Sequence, residues 1–221
     1  WILHRDLKVD NILLTAEGVL QICDFGSARR FGAKIEDCEF RVKDNETLRK
    51  LRCLTPNMVS GHYRSPEVLL GSTNYDVSID TWAAGCIFGE LLTRKRLFPG
   101  TSEISQLQLI HDVLGTPTSK TWPEYQTLLQ RWGKFSFGTQ RKSRLREIYP
   151  LNGYDPISVH GRILKTTSLD DLGFDVLKSL LHYDPKQRAD ANAVLEHLWF
   201  ECHPLPESLN MTEIASLRSK G

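Results

Sequence analysis

A mainly α-helical fold with one small β-hairpin is predicted by three features of this 221-residue sequence. Two short apolar runs, Asn11 to Leu14 and Val19 to Ile22, flank Thr15-Ala16-Glu17-Gly18, a Gly-containing turn that closes a hairpin. Asp80 to Thr93 is apolar almost all round, which predicts a central buried helix instead of an amphipathic surface one. Further along, apolar residues recur at helical spacing behind residues that cap helices well.

After the hairpin, the charged and aperiodic stretch from Arg30 to Asn57 reads as a long surface loop, with a short helix near Glu46 to Leu51. Ile104, Leu107, Ile110 and Leu114 keep helical spacing behind Ser102 as N-cap, and Gly115 with Pro117 ends that helix. A second irregular, basic region covers about Lys134 to Thr167. Phe174, Leu177 and Leu181 then repeat the helical pattern, as do Ala191, Val194, Leu195 and Leu198 behind Asp190. Leu205 to Gly221 is polar and reads as a tail that frays.

Composition narrows the functional classes. The 28 basic and 27 acidic residues nearly cancel, so the overall charge points neither to nucleic acid nor to a membrane surface. Five cysteines, odd in number and without a C-x-x-C pair, argue against a disulfide framework or a zinc site and for a reducing compartment. The longest apolar stretch, Trp82 to Leu92, is broken by Gly85, Gly89 and Glu90 and is too short to span a bilayer. Trp1 runs directly into a motif with no signal peptide ahead of it, which reads as an excised fragment.

The chemistry is concentrated in two motifs. His4-Arg5-Asp6-Leu7-Lys8-Val9-Asp10-Asn11 is similar to the protein-kinase catalytic loop at every defining position, and Asp24-Phe25-Gly26 follows on the far side of the hairpin. The resemblance implies phosphoryl transfer from ATP. In it, Asp6 orients the substrate hydroxyl and accepts its proton, and Lys8 steadies the γ-phosphate. Asn11 and Asp24 offer hard oxygen ligands to Mg2+. Ser65-Pro66-Glu67 resembles the motif that closes the kinase activation segment, and Arg188 stands where the buried partner of its glutamate belongs. Asp80 resembles the helix-start aspartate that hydrogen-bonds the catalytic-loop backbone, a plain N-cap being the alternative.

Within kinases the chain resembles the cyclin-dependent Ser/Thr group, and most of all its PITSLRE branch. The resemblance rests on Trp1-Ile2-Leu3, Gly85 to Thr93, Leu97 to Ile104, Leu114-Gly115-Thr116-Pro117 and Pro204-Leu205-Pro206. It implies a kinase C-terminal lobe over residues 1–204, with the N-terminal lobe absent. Inside it lie a catalytic loop at 4–11, an activation segment at 24–67 and a group-specific insert at about 115–167, and a tail follows at 205–221. It also implies an activating phosphate on Thr55 held by Arg5 and Arg29, and a pocket for a Ser/Thr-Pro protein substrate shaped by Val59, Ser60 and Arg64. The implied partner is a cyclin, bound through the missing lobe, and the implied location is intracellular, nuclear or cytoplasmic.

The sequence departs from the family in four places. The activation segment is longer than usual, the excess being Glu36 to Arg52, and a second expansion covers Leu151 to Thr167. Gly61-His62 stands where relatives carry Leu-Trp, and Ser27 after the D-F-G motif is atypical. Cys23 precedes Asp24, as a reactive thiol or as a small buried residue. No Gly-rich loop, strand lysine or adenine hinge occurs in these residues, so the chain alone is expected to be inactive and to expose an apolar upper face. A kinase-like scaffold that binds partners without catalysis is the alternative function.

Overall fold

A computed structural model describes residues 2–30, 61–72, 75–130, 137–151, 157–159, 162–164 and 168–202. Among these, the first elements are β1 (Ile2–Leu3), β2 (Ile12–Leu14), β3 (Leu20–Ile22) and β4 (Arg29–Arg30). β2 and β3 form the expected antiparallel hairpin in the register Ile12↔Ile22, Leu13↔Gln21 and Leu14↔Leu20. Its turn closes through Gly18, at a φ of 81° that suits glycine, with the Gly18 N–H donating to the Thr15 carbonyl. Asn11 falls in a 3-10 turn (Val9–Asn11) ahead of the strand, which separates its side chain from the ladder.

The helices follow as α1 (Pro66–Leu69), α2 (Ser78–Thr93), α3 (Glu103–Leu114), α4 (Tyr125–Gln130) and α5 (Leu145–Ile148). After α5 come β5 (Ile157–Val159), β6 (Arg162–Leu164), α6 (Asp171–Leu180) and α7 (Ala191–Leu195). α2 is the pillar its composition predicts, with Trp82, Ala83, Cys86 and Ile87 all buried in the core. It starts before Asp80, at Ser78, whose N–H is taken by the Asp76 carboxylate at 2.9 Å. α6 crosses α2 closely enough that a Cβ on Gly85 would lie 2.9 Å from Leu180 Cβ and Leu181 Cδ2. Ser102 caps α3 in a reciprocal box with Ser105, and Gly115 ends it at a φ of 85°.

Three expectations change. The described part of Lys134 to Thr167 is not irregular throughout, because it contains α5, whose Leu145 and Ile148 are buried, and a β5–β6 ladder. A single turn of helix is too short to show a period. Among the described residues there are therefore three two-stranded ladders where one hairpin was expected, β1 with β4 being the third. Leu198 does not extend α7 but opens a separate 3-10 turn (Leu198–Glu201), and Leu195 is 70% exposed, so no apolar face of α7 is buried. The expected long loop after Arg30, the short helix expected within it and the tail after Cys202 lie outside the described residues, as does most of the expansion to Thr167. No described helix is long and apolar enough to cross a membrane. On the hairpin side, Ile2, Leu13, Leu20, Ile22 and Phe25 are each at least half exposed, in line with the expected apolar surface.

Candidate active site

The catalytic loop owes its shape to α2. Arg5 has a φ of 66°, a left-handed conformation that costs a non-glycine residue about 1–2 kcal/mol. The flanking N–H groups offset that cost. Those of His4 and Arg5 donate to the two carboxylate oxygens of Asp80 at 2.7 and 2.8 Å. Burial pushes the Asp80 pKa up, and these two donors act against it. Asp80 is thus a brace for the loop and not an N-cap.

Asp6 is buried to 7% exposure at the loop's centre. Its Oδ2 accepts from Lys8 Nζ at 2.9 Å and, more distantly, from Asn11 Nδ2 at 3.5 Å. Asn11 Nδ2 also donates to the Asp6 carbonyl at 2.9 Å, so the amide nitrogen is committed to Asp6 and the side-chain oxygen Oδ1 accepts from no described donor. The Asp6 hydrogen bond raises the Lys8 pKa, with the charges of Asp6, Asp24 and Asp10 adding to it against some burial. Lys8 therefore feels both motifs at once.

The hairpin and His4 join the two motifs. The Cys23 N–H donates to the Asn11 carbonyl at 3.0 Å, which places Asp24 one residue past the point where the chain is bonded to Asn11. His4 Nε2 bonds the Cys23 carbonyl at 2.9 Å, while its Nδ1 accepts from the Asp6 N–H at 3.3 Å. Both bonds hold together in the neutral tautomer with its proton on Nε2. The His4 ring also meets Phe25 edge-on at 4.9 Å. Asp24 itself is exposed, left-handed at a φ of 62°, and uses Oδ1 to accept from the Gly26 N–H at 3.3 Å. Two protein oxygens, from Asn11 and Asp24, suit a hard cation that draws its other ligands from phosphate and water, the pattern Mg2+ favours. The donor set fits that ion.

Around this centre the other residues sort into three groups. Glu67 and Arg188 form a buried bidentate pair, at 2.9 and 3.0 Å. Arg188 also donates to the carbonyls of His182, Ser78 and Tyr183 and lies 5.0 Å from the Trp82 ring centre. Arg64 is buried, pairs with Glu103 at 3.3 Å and lines a small cavity with Asp6 and Ser65. Arg5 donates to the Ser27 carbonyl at 2.6 Å and to the Tyr75 hydroxyl at 3.0 Å, whereas Arg29 is exposed on β4 opposite Leu3. Thr55, Val59 and Ser60 lie outside the described residues. Cys23 is neither fully buried nor fully exposed. His4, Tyr75 and Gln106 have site contacts that sequence reasoning missed; His4, inside the catalytic-loop motif, and Gln106, a polar residue on the apolar stripe of α3, carried a signal, and Tyr75 carried none.

The protein kinase domain family matches residues 1–200. The chain belongs to the protein kinase family. Kinase relatives include Cyclin-dependent kinase G-2 of Oryza sativa subsp. japonica, 41% identical over 208 residues, which cover 94% of this chain and 26% of that protein. Cyclin-dependent kinase 11A of Homo sapiens is 39% identical over 206 residues, 93% of this chain and 22% of that protein. This kinase chain thus spans about a quarter of the length of the curated relatives it matches. Among solved structures, a chain of the yeast RNA Pol II CTD kinase CTDK-1 complex matches with a TM-score of 0.73 at 28% identity, over 94% of this chain and 58% of that one. The cyclin-dependent group expected from the motifs is the group of these curated relatives.

Proposed function

We propose that these residues form the C-terminal lobe of a cyclin-dependent Ser/Thr kinase, the half that holds the protein substrate and the metal. The observation that carries this reading is the Asp6 centre: a buried residue whose carboxylate is bonded by Lys8 and whose backbone carbonyl is bonded by Asn11, on a loop braced by Asp80. Asp6 receives the substrate hydroxyl, orients its oxygen and takes its proton as phosphoryl transfer proceeds. Lys8, held by Asp6 in this state, turns its charge to the transferred group. Asn11 and Asp24 hold Mg2+, which when bound with ATP neutralises charge on the phosphates.

The finer assignments belong to the same proposal. Thr55 carries the activating phosphate, received by Arg5 and Arg29, whose planar guanidinium groups suit bidentate contacts. Val59, Ser60 and Arg64 shape a pocket for proline after the target residue. The nucleotide and a cyclin are engaged by an N-terminal lobe, whose Gly-rich loop and lysine do not occur in these 221 residues. The location is intracellular.

The test is a transfer assay with ATP, Mg2+ and a pair of peptides differing in Ser-Pro against Ser-Ala. The full-length gene product is expected to phosphorylate the first in preference, while the 221-residue chain alone transfers nothing. Transfer by the isolated chain would contradict the division of labour, and equal rates on both peptides would contradict the proline preference. A scaffold would show no transfer from either protein.

A further inference from the structure

The 3-10 turn Gly61–Tyr63 leads directly into the wall of the cavity beside Asp6, where Tyr63, Arg64 and Ser65 line the space with Arg5 and Asp80. Side chains hold parts of this wall from two helices. The Tyr63 hydroxyl bonds Glu90 of α2 at 2.6 Å, and Arg64 pairs with Glu103 of α3. The backbone of the turn is gripped by Gln106.

Gln106 is 1% exposed, next to Leu107 and Ile110 on the buried side of α3. A primary amide is costly to bury unless both of its ends are used. Here both are. Oε1 accepts from the Gly100 N–H at 2.8 Å, and Nε2 donates to the His62 carbonyl at 2.9 Å. The approach leaves no room for a side chain at Gly100, where a Cβ would lie 2.5 Å from both Cα and Oε1 of Gln106. Gly100 and Gln106 therefore form one fitted clamp. A shift of the His62 carbonyl would carry Tyr63, Arg64 and Ser65 with it.

We propose that Gln106 is a positioning residue for the protein substrate: with Gly100 it fixes the wall against which the peptide lies while its hydroxyl is at Asp6. This rests on the kinase reading above. The clamp touches neither the metal ligands nor Asp6, so its loss should weaken peptide binding and leave the chemical step in place.

Three variants of the full-length gene product test this. Gln106→Glu keeps the acceptor for Gly100 but removes the donor to His62, Gln106→Leu removes both, and Gly100→Ala attacks the clamp from its other side. Each is expected to raise the peptide KM about fivefold or more, with kcat at saturating peptide and the KM for ATP within about twofold of wild type. A merely structural Gln106 would lower the active fraction, and with it kcat, without moving the peptide KM. If Gln106→Leu does not fold, the other two carry the test. A peptide KM unmoved in the variants of an active wild type overturns this inference alone, whereas a wild type that transfers no phosphate overturns the kinase reading and this inference together.

Discussion

His111 sits on α3 with 1% exposure, among the rings of Tyr125, Phe137 and Tyr183 at centre distances of 5.7, 4.6 and 6.1 Å. Neither ring nitrogen has a hydrogen-bond partner among the described residues. A protonated imidazole there would be a buried charge, and burial, helped by the nearby Arg141, holds the His111 pKa down at about 4. The unfolded chain takes up a proton near pH 6.5 that the folded chain refuses until about pH 4, so folding is disfavoured progressively between those values. His111 should thus subtract about 3 kcal/mol of stability as pH falls from about 6.5 to about 4, and nothing above that window. Urea unfolding of wild type and His111→Phe across this range is expected to give curves that agree at pH 7 and diverge in acid, the variant being the more stable. Parallel curves would show that His111 is not the acid-sensitive group. The same scale holds the catalytic centre, where Asp80 shows how a residue remote in sequence keeps Arg5 in a left-handed conformation.

At the scale of elements, α1 is tied to the chain beyond α6 by the Glu67–Arg188 pair. Glu67→Gln leaves a fully buried guanidinium short of its counter-charge and is expected to cost about 3–5 kcal/mol in urea unfolding. Because Arg188 also serves the carbonyls of His182, Ser78 and Tyr183, replacing both partners by Met should recover little of that loss. A double variant as stable as wild type would contradict this picture. The pair itself was legible in the sequence, since both residues stand in motifs; the three carbonyls were not, because nothing in a one-dimensional pattern reports where a backbone oxygen ends up. α2, α3 and α6 were legible from their apolar residues: α2 is apolar almost all round, α3 combines an apolar period with a cap and a stop, and α6 repeats the period. α4, α5 and the β5–β6 ladder escaped because they are only three to six residues long and are fixed by contacts from other elements. α7 misled because the spacing of Leu195 and Leu198 looked like a buried face, yet the backbone turns after Leu195 and both side chains are exposed. Tyr75 and Gln106 meet the site across long sequence separations that no local spacing encodes.

For the whole molecule, function is divided by place. The core is built around α2, the catalytic loop is tied to the first turn of that helix through Asp80, and the hairpin that follows the loop carries the exposed apolar residues Leu13, Leu20 and Ile22, with Ile2 and Phe25 exposed on either side of it in the chain. In the proposed kinase, the nucleotide-bearing lobe covers this surface and brings ATP to the groups already assembled at Asp6. In that proposal, the bonds of Lys8 and Asn11 to Asp6 set the base in place before substrate arrives, which is what phosphoryl transfer requires of a protein that contributes mainly position and charge. The most direct measurement is transfer of labelled phosphate from ATP to a Ser-Pro peptide by the full-length gene product, wild type against Asp6→Asn. The variant, folded and still able to bind ATP, is expected to lose at least about a hundredfold in kcat. A folded Asp6→Asn protein that transfers phosphate at the wild-type rate would contradict the role of Asp6 as base.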